Sequence, residues 1–296
     1  MNSSKKRNIF IFVAISCLYF AGIASIIYPI LSNVLSMSTA KTVINDYTEA
    51  VQKMDDSEIK EKFEKAQQYN QELAKKNYDS DLGTVLNGND GLICYLEVPS
   101  ISVYLPVYYG TTDEVLQKGC GLLENTSLPI GGESTHSVIS GHTGLPSADM
   151  FTKLDEVEIG ELFYIHILDQ ILAYRVDQIL TVVPNNTEDL FVIDGEDHVT
   201  LLTCTPYGIN DKRLLVRGTR TDYVPTVASG DEKSIANSDS ADEGLAEQIR
   251  QQMSIVWFIV IIAVVLFIIA CVWVMKVVTK PSHVNDNDDS DSGGTE

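Results

Sequence analysis

Basic side chains are scarce in this chain: 21 Lys and Arg stand against 41 Asp and Glu, for a net charge of −20. Binding nucleic acid needs a basic face to neutralise phosphates, and no window outside the termini offers one, so that class of partner is excluded. Cysteine is also sparse, five in 296 residues, with no C-x-x-C and no His-x-x-x-His pair to signal a zinc site. Proline is absent between Pro29 and Pro99, and the only tryptophans are Trp257 and Trp273. Charge is missing altogether from two long blocks, and these explain a mean hydropathy of +0.04 in so acidic a protein.

The first uncharged block runs from Asn8 to Leu31 behind Lys5, Lys6 and Arg7. It is longer than the apolar core of a secretory signal, so it reads as an uncleaved anchor. The second runs from Ser254 to Met275, with its tryptophans near the two ends where an interfacial belt would hold them. Basic residues flank the outer end of each block, Lys276 and Lys280 following the second. The positive-inside rule therefore puts both termini in the cytoplasm and the middle outside. The expectation is a two-pass protein of the cell membrane with the lipid bilayer as one partner.

Between the blocks the texture changes twice. From Ala40 to Lys76, Val43, Tyr47, Val51, Met54, Ile59, Phe63 and Leu73 recur every three to five residues among charges, which predicts one or two amphipathic helices. From Gly91 to Arg220, short apolar runs such as LICYLEV, VYLPVYY and HVTLLTC are punctuated by Gly, Pro, Asn and Asp. That pattern predicts about eight strands in a closed or sandwiched β domain. Residues 222–253 begin polar and acidic and read as a flexible stalk, and the tail after the second span reads as solvated. The expected organisation is a cytoplasmic N-terminus (1–7), an anchor (8–32), a helical region (33–89), a β domain (90–221), a stalk (222–253), a second span (254–275) and a cytoplasmic tail (276–296).

Chemistry concentrates at strand ends. The run His198 to Cys204 ends in a thiol just before Thr205-Pro206-Tyr207-Gly208, and Asp211-Lys212-Arg213 opens the next strand. A hairpin there would bring Arg213 opposite Cys204, where a guanidinium raises the thiolate fraction or stabilises an oxyanion. His142 lies between Gly141 and Gly144 after the strand Ser137–Ser140, the best-placed acid/base among the histidines. His166 and His198 read as structural or surface-facing, and His136 as a supporting hydrogen-bond donor near His142. Thr203 and Thr205 flank the thiol as candidates for a supporting or oxyanion role. A zinc site from His136, His142, Cys120 and Cys204 is the rival reading, without motif support.

The string T-L-L-T-C-T-P-Y-G-I-N-D-K-R-L-L-V-R-G resembles the Thr-Leu-x-Thr-Cys signature and arginine strand of sortases, the Gram-positive transpeptidases. Leu116 to Gly121 and Ser127 to His142 look like the class C branch, which assembles pili, and two membrane spans with an N-terminal helical region match its layout. The resemblance covers about residues 90–220. It implies a mainly β fold, an eight-stranded sortase-type barrel with N-terminal helices flanked by two transmembrane helices. It further implies Cys204 as nucleophile, His142 as acid/base and Arg213 as oxyanion or positioning cation, with no metal or organic cofactor. The implied partners are pilin precursors with LPXTG-like sorting signals and a pilin Lys as acyl acceptor. The alternatives are a sortase that attaches proteins to peptidoglycan, and a non-catalytic membrane-anchored binding protein.

Three features depart from or go beyond the family pattern. Thr143 stands where many relatives have Arg, Cys94 and Cys120 are extra thiols, and the Pro-aromatic lid ahead of the barrel is missing, leaving residues 77–86 as a vestige and an open cleft. Cys94 and Cys120 are expected to be buried thiols rather than a disulfide.

Overall fold

The short apolar runs between Gly91 and Thr221 are strands in the computed structural model of the chain, which describes residues 3–75, 85–86, 91–224 and 238–278. They are β1 (Leu92–Val98), β2 (Val103–Tyr109), β3 (Cys120–Leu122), β4 (Thr135–Ser140), β5 (Leu162–Ile167), β6 (Gln170–Val182), β7 (Asp197–Thr205) and β8 (Lys212–Thr221). The eight close into a barrel in the order β1-β2-β3-β4-β7-β8-β6-β5, with β2–β3 and β4–β7 parallel and the other pairs antiparallel. Closure leaves no free edge to template aggregation.

Alternation along each strand sorts the side chains. Val199 and Leu201 of β7, Ile139 of β4 and Leu214 and Val216 of β8 point into a core shared with Leu96, Val107, Leu122, Phe163 and Ile165. Each such side chain, fully removed from water, contributes roughly 1.5–3 kcal/mol. Cys94 and Cys120 belong to this core on either side of Val107, and both thiols are free. Burial pushes their pKa values up, so they behave as small apolar groups.

Among the described residues four α-helices accompany the barrel: α1 (Ser3–Gln52), α2 (Asp56–Ala74), α3 (Asp113–Lys118) and α4 (Ser238–Val278). The expected boundary between anchor and helical region is not a break, because α1 continues through it and through Pro29. Asp55 then caps α2 by accepting from the Glu58 N–H at 2.9 Å, with Asp56 and Glu58 favourably placed in the first turn. Helix α2 buries Ala66, Tyr69, Asn70 and Leu73 along one face. Its Asn70 amide pairs with both backbone groups of Leu128, at 2.7 and 3.0 Å.

Helix α1 docks on the barrel through Tyr47, whose hydroxyl donates to Ile93 O at 3.1 Å and accepts from Leu168 N at 2.8 Å. Ile44, Tyr95, Tyr104 and Leu245 form a second apolar cluster beside it, with Met37 and Ile249 at its margin. Leu245 corrects the flexible-stalk expectation: from Ser238 that segment is helical, and Leu245 and Ile249, one turn apart, give it an apolar stripe long enough to dock. The lid vestige lies outside the described residues except for Val85 and Leu86, of which Leu86 is buried in the barrel core. Residues 225–237 and the acidic tail also lie outside them.

The chain divides into two units, Met1–Met253 and Ser254–Glu296. Two helical stretches, within α1 and α4, are long and apolar enough to cross a membrane. Phe10, Leu18, Trp257 and Trp273 are exposed on them, as lipid-facing side chains would be.

Candidate active site

Three chain segments meet at one end of the barrel. Strand β7 delivers Cys204 as its penultimate residue, β8 begins with Lys212 and Arg213, and β4 ends two residues before His142. Cys204 and Arg213 are direct partners in the antiparallel register of β7 and β8, so their side chains project from the same face. The parallel ladder of β4 and β7 pairs Ser140 with Leu202, and Gly141 N extends it by donating to Leu202 O at 3.0 Å. Continued by two residues, that register puts His142 level with Cys204.

Period-two alternation settles the direction of each strand side chain. Since Val199 and Leu201 of β7 and Leu214 and Val216 of β8 point inward, Cys204 and Arg213 lie on the outer face, and they and His142 are all half-buried. Thr203 and Thr205 are offset by one residue and turn to the inner face. The Thr203 hydroxyl is already engaged, donating to the Gly141 carbonyl at 2.7 Å. It braces the loop that carries His142 rather than facing the thiol. Arg213 Nη1 donates to the carbonyls of Asn210 and Lys212 at 3.3 and 3.0 Å, which aligns the guanidinium along its own hairpin.

His136 is not brought to the site. It is the second residue of β4, and the strand carries the chain away from it, so that four strand residues and Gly141 separate it from His142 by roughly 20 Å of extended backbone. Its Nδ1 lies 3.0 Å from the Phe191 carbonyl, which only accepts, so Nδ1 carries the proton and Nε2 accepts from Thr200 Oγ1 at 2.7 Å. It pairs in register with His198, and burial holds His136 down to about 4 and lowers His198 as well. His198 and His166 are both buried; His166 stacks on Tyr95 and bonds Glu97 at 2.8 Å, a structural role. The rival zinc grouping is dispersed, because Cys120 is in the core and His136 at the far end. Among the described residues no cluster of three His, Cys, Asp or Glu is arranged to hold a metal.

Two supports of the His142 loop carried no sequence signal of their own. The Phe151 ring packs where a Cβ on Gly141 would sit, 2.7 Å away, and Phe151 N donates to the His142 carbonyl at 2.9 Å. Tyr207 of the β7–β8 loop leans on Gly144, where φ is +72° and a Cβ would lie 2.9 Å from the ring. The glycines around His142 were the visible signal, but the aromatic partners come from distant sequence. Around the site the chain exposes Tyr207 and Ile209 on one loop and Val183 at the end of β6, beside Arg213.

A model of the sortase domain matches residues 96–221, from within β1 to the end of β8. Sortase C of Streptococcus pneumoniae is 46% identical, with a TM-score of 0.58, over 63% of this chain and all of that one. Clostridium perfringens sortase C, solved with its C-terminal cell wall sorting motif, is 48% identical with a TM-score of 0.59, covering 62% of this chain and all of that one. The chain belongs to the sortase family, in its class C branch. More distantly, a sortase A of Bacillus anthracis is 27% identical over 185 residues, 61% of this chain and 80% of that protein. This sortase is thus a cysteine transpeptidase built on the eight-stranded barrel that the strand pattern and the motifs led us to expect.

Proposed function

We propose that this sortase polymerises pilins, with Cys204 as nucleophile, His142 as acid and base, and Arg213 as the cation that steadies the oxyanion. The observation that carries the reading is the register that pairs Cys204 with Arg213 on β7 and β8, together with the pairing of β4 to that same β7, two residues before His142. The Cys204 thiolate attacks the Thr carbonyl of an LPXTG-like sorting signal, and the new oxyanion develops beside the Arg213 guanidinium. His142 protonates the Gly amine as the C–N bond breaks, leaving a thioacyl-enzyme. A Lys amine of the next pilin then loses its proton to His142, attacks the thioester, and expels the thiolate as an isopeptide bond forms. Every proton in the cycle is accounted for by the Cys–His pair, so no redox partner is needed.

The site is fitted to an extended peptide with apolar residues. The β6–β7 loop covers the far end of the outer face at His136, while Ser140, Leu202, His142, Cys204 and Arg213 remain half-exposed. Tyr207, Ile209 and Val183 stand exposed near that opening, suited to the Leu and Pro of a sorting signal. The barrel acts outside the membrane with both termini cytoplasmic, by the basic flanks of the two apolar helices. A pilin held in the same bilayer then meets Cys204 at raised effective concentration.

The test is mass spectrometry of crosslinks between pilin subunits in cells carrying wild-type or Cys204→Ala protein. Thr–Lys isopeptides between pilins, absent in the variant, are the expected result. Crosslinks to peptidoglycan instead would make the acceptor the cell wall, and polymers that persist in Cys204→Ala would overturn the assignment of the nucleophile.

A further inference from the structure

Asn33 lies two residues beyond the first uncharged block, on α1, and is buried although polar. Its amide joins three segments of chain. Nδ2 donates to Asp149 Oδ2 at 2.7 Å and to Gln252 Oε1 at 3.3 Å, and Oδ1 accepts from Asp149 N at 2.9 Å. Gln252 lies on α4 two residues before the second uncharged block, so the amide links two helices where each adjoins its apolar stretch. The third segment is the loop between β4 and β5, which begins with Gly141 and His142.

From Asp149 the connection to His142 is short. Asp149 O accepts from Thr152 N at 2.8 Å, Thr152 Oγ1 accepts from Gly144 N at 3.0 Å, and Phe151 N donates to His142 O at 2.9 Å. The turn that Asn33 grips therefore holds both ends of the His142-Thr143-Gly144 segment. A small cleft of about 170 Å³, lined in part by Asn33, Met37, Tyr104, Lys153 and Gln252, opens beside this contact.

We propose that Asn33 and Asp149 are positioning residues that set the His142 loop from α1 and α4, where each helix adjoins its apolar stretch. The proposal rests on the reading of His142 as acid and base. Asp149 is exposed, so losing the clamp lets its carboxylate return to water and leaves the barrel core untouched. The loss falls on geometry: a displacement of about 1 Å between reacting groups can cost on the order of 10²-fold in rate. A shortened chain without either helix end would lack the clamp, and its turnover would understate that of the whole protein.

The experiment uses the full chain in vesicles and a fluorogenic Leu-Pro-x-Thr-Gly peptide. It compares Asn33→Ala, Asn33→Asp, and the exchanged pair Asn33→Asp with Asp149→Asn, alongside His142→Ala and Cys204→Ala. Asn33→Ala is expected to lower kcat roughly 10-fold at unchanged KM, without a change in thermal midpoint. Asn33→Asp alone sets two carboxylates against each other and does at least as much harm. The exchanged pair restores both hydrogen bonds between positions 33 and 149, with the donor and acceptor side chains reversed, and returns kcat to within about threefold of wild type. Wild-type kcat in Asn33→Ala, or an exchanged pair no better than Asn33→Asp, overturns the clamp while an inactive His142→Ala keeps the functional reading. Full turnover in His142→Ala overturns that reading, and the clamp's role with it.

Discussion

The Thr203 hydroxyl donates to the Gly141 carbonyl at 2.7 Å, joining the residue before Cys204 to the residue before His142. Strand alternation turns Thr203 inward, so a buried bond on the inner face fixes the spacing of Cys204 and His142. The pair is positioned by backbone, with its brace hidden from solvent and substrate.

Thr203→Val keeps the shape and removes the donor, leaving a buried carbonyl without its partner. A loss of about 1–3 kcal/mol is expected in urea unfolding. Peptide turnover should fall as well, because the β4 exit is free to drift from β7, and Thr203→Ser should recover most of both losses. Unchanged stability in the valine variant would mean that water replaces the hydroxyl.

Arg213→Lys keeps the charge but replaces a planar fork with a point donor. The guanidinium bonds Asn210 O and Lys212 O through Nη1, which presents the rest of the fork on the Cys204 face. We expect kcat/KM to fall by roughly 10²-fold, with the thermal midpoint little changed. A variant with near-wild-type turnover would reduce the arginine to a generic cation.

Cys204 should be the reactive thiol of the barrel. It is half-exposed, whereas Cys94 and Cys120 are wholly buried with thiols held protonated by desolvation. Among the three cysteines of the barrel, brief treatment of the native protein with iodoacetamide should label Cys204 alone, and Cys94 and Cys120 only after denaturant is added. Non-reducing peptide maps should show no 94–120 linkage. Labelling of Cys94 or Cys120 at a rate comparable to Cys204 would show that the barrel opens locally.

Much of this site could be read before the fold was seen, because its geometry is local. A six-residue connection between Thr205 and Lys212 closes a hairpin, and the hairpin alone pairs Cys204 with Arg213. His142 announced itself by its glycines. His136 was misplaced because six residues look close in sequence, yet along an extended strand they span the barrel. The docked segment before the second span was hidden for the opposite reason: Leu245 and Ile249 are too few to signal a helix, and only Tyr104 and Ile44 on distant elements make them a core. Asn33 carried no signal either, since its partner Asp149 is 116 residues away.

The buried histidine pair predicts an acid-sensitive barrel. His136 is lowered to about 4, first by burial and then by nearby His198 and Arg217, opposed by its bond to Phe191 O and by Asp177; His198 is lowered by burial and Arg217. A histidine whose folded pKa lies below its unfolded value, near 6.5, binds its proton more readily when unfolded. Its contribution to stability is therefore complete above about pH 6.5 and lost as the pH falls toward 4, by roughly 3 kcal/mol for His136. Asp177 on the same face acts in a lower window. Burial works to raise its carboxyl, but the Arg217 bonds at 2.6 and 3.1 Å outweigh that and hold it below its ordinary range. Urea unfolding in detergent between pH 8 and pH 4.5 should show stability declining below pH 6.5, and His136→Gln should flatten that decline while lowering stability at pH 8. A pH dependence identical in wild type and His136→Gln would show that the pair is solvated and carries no such linkage.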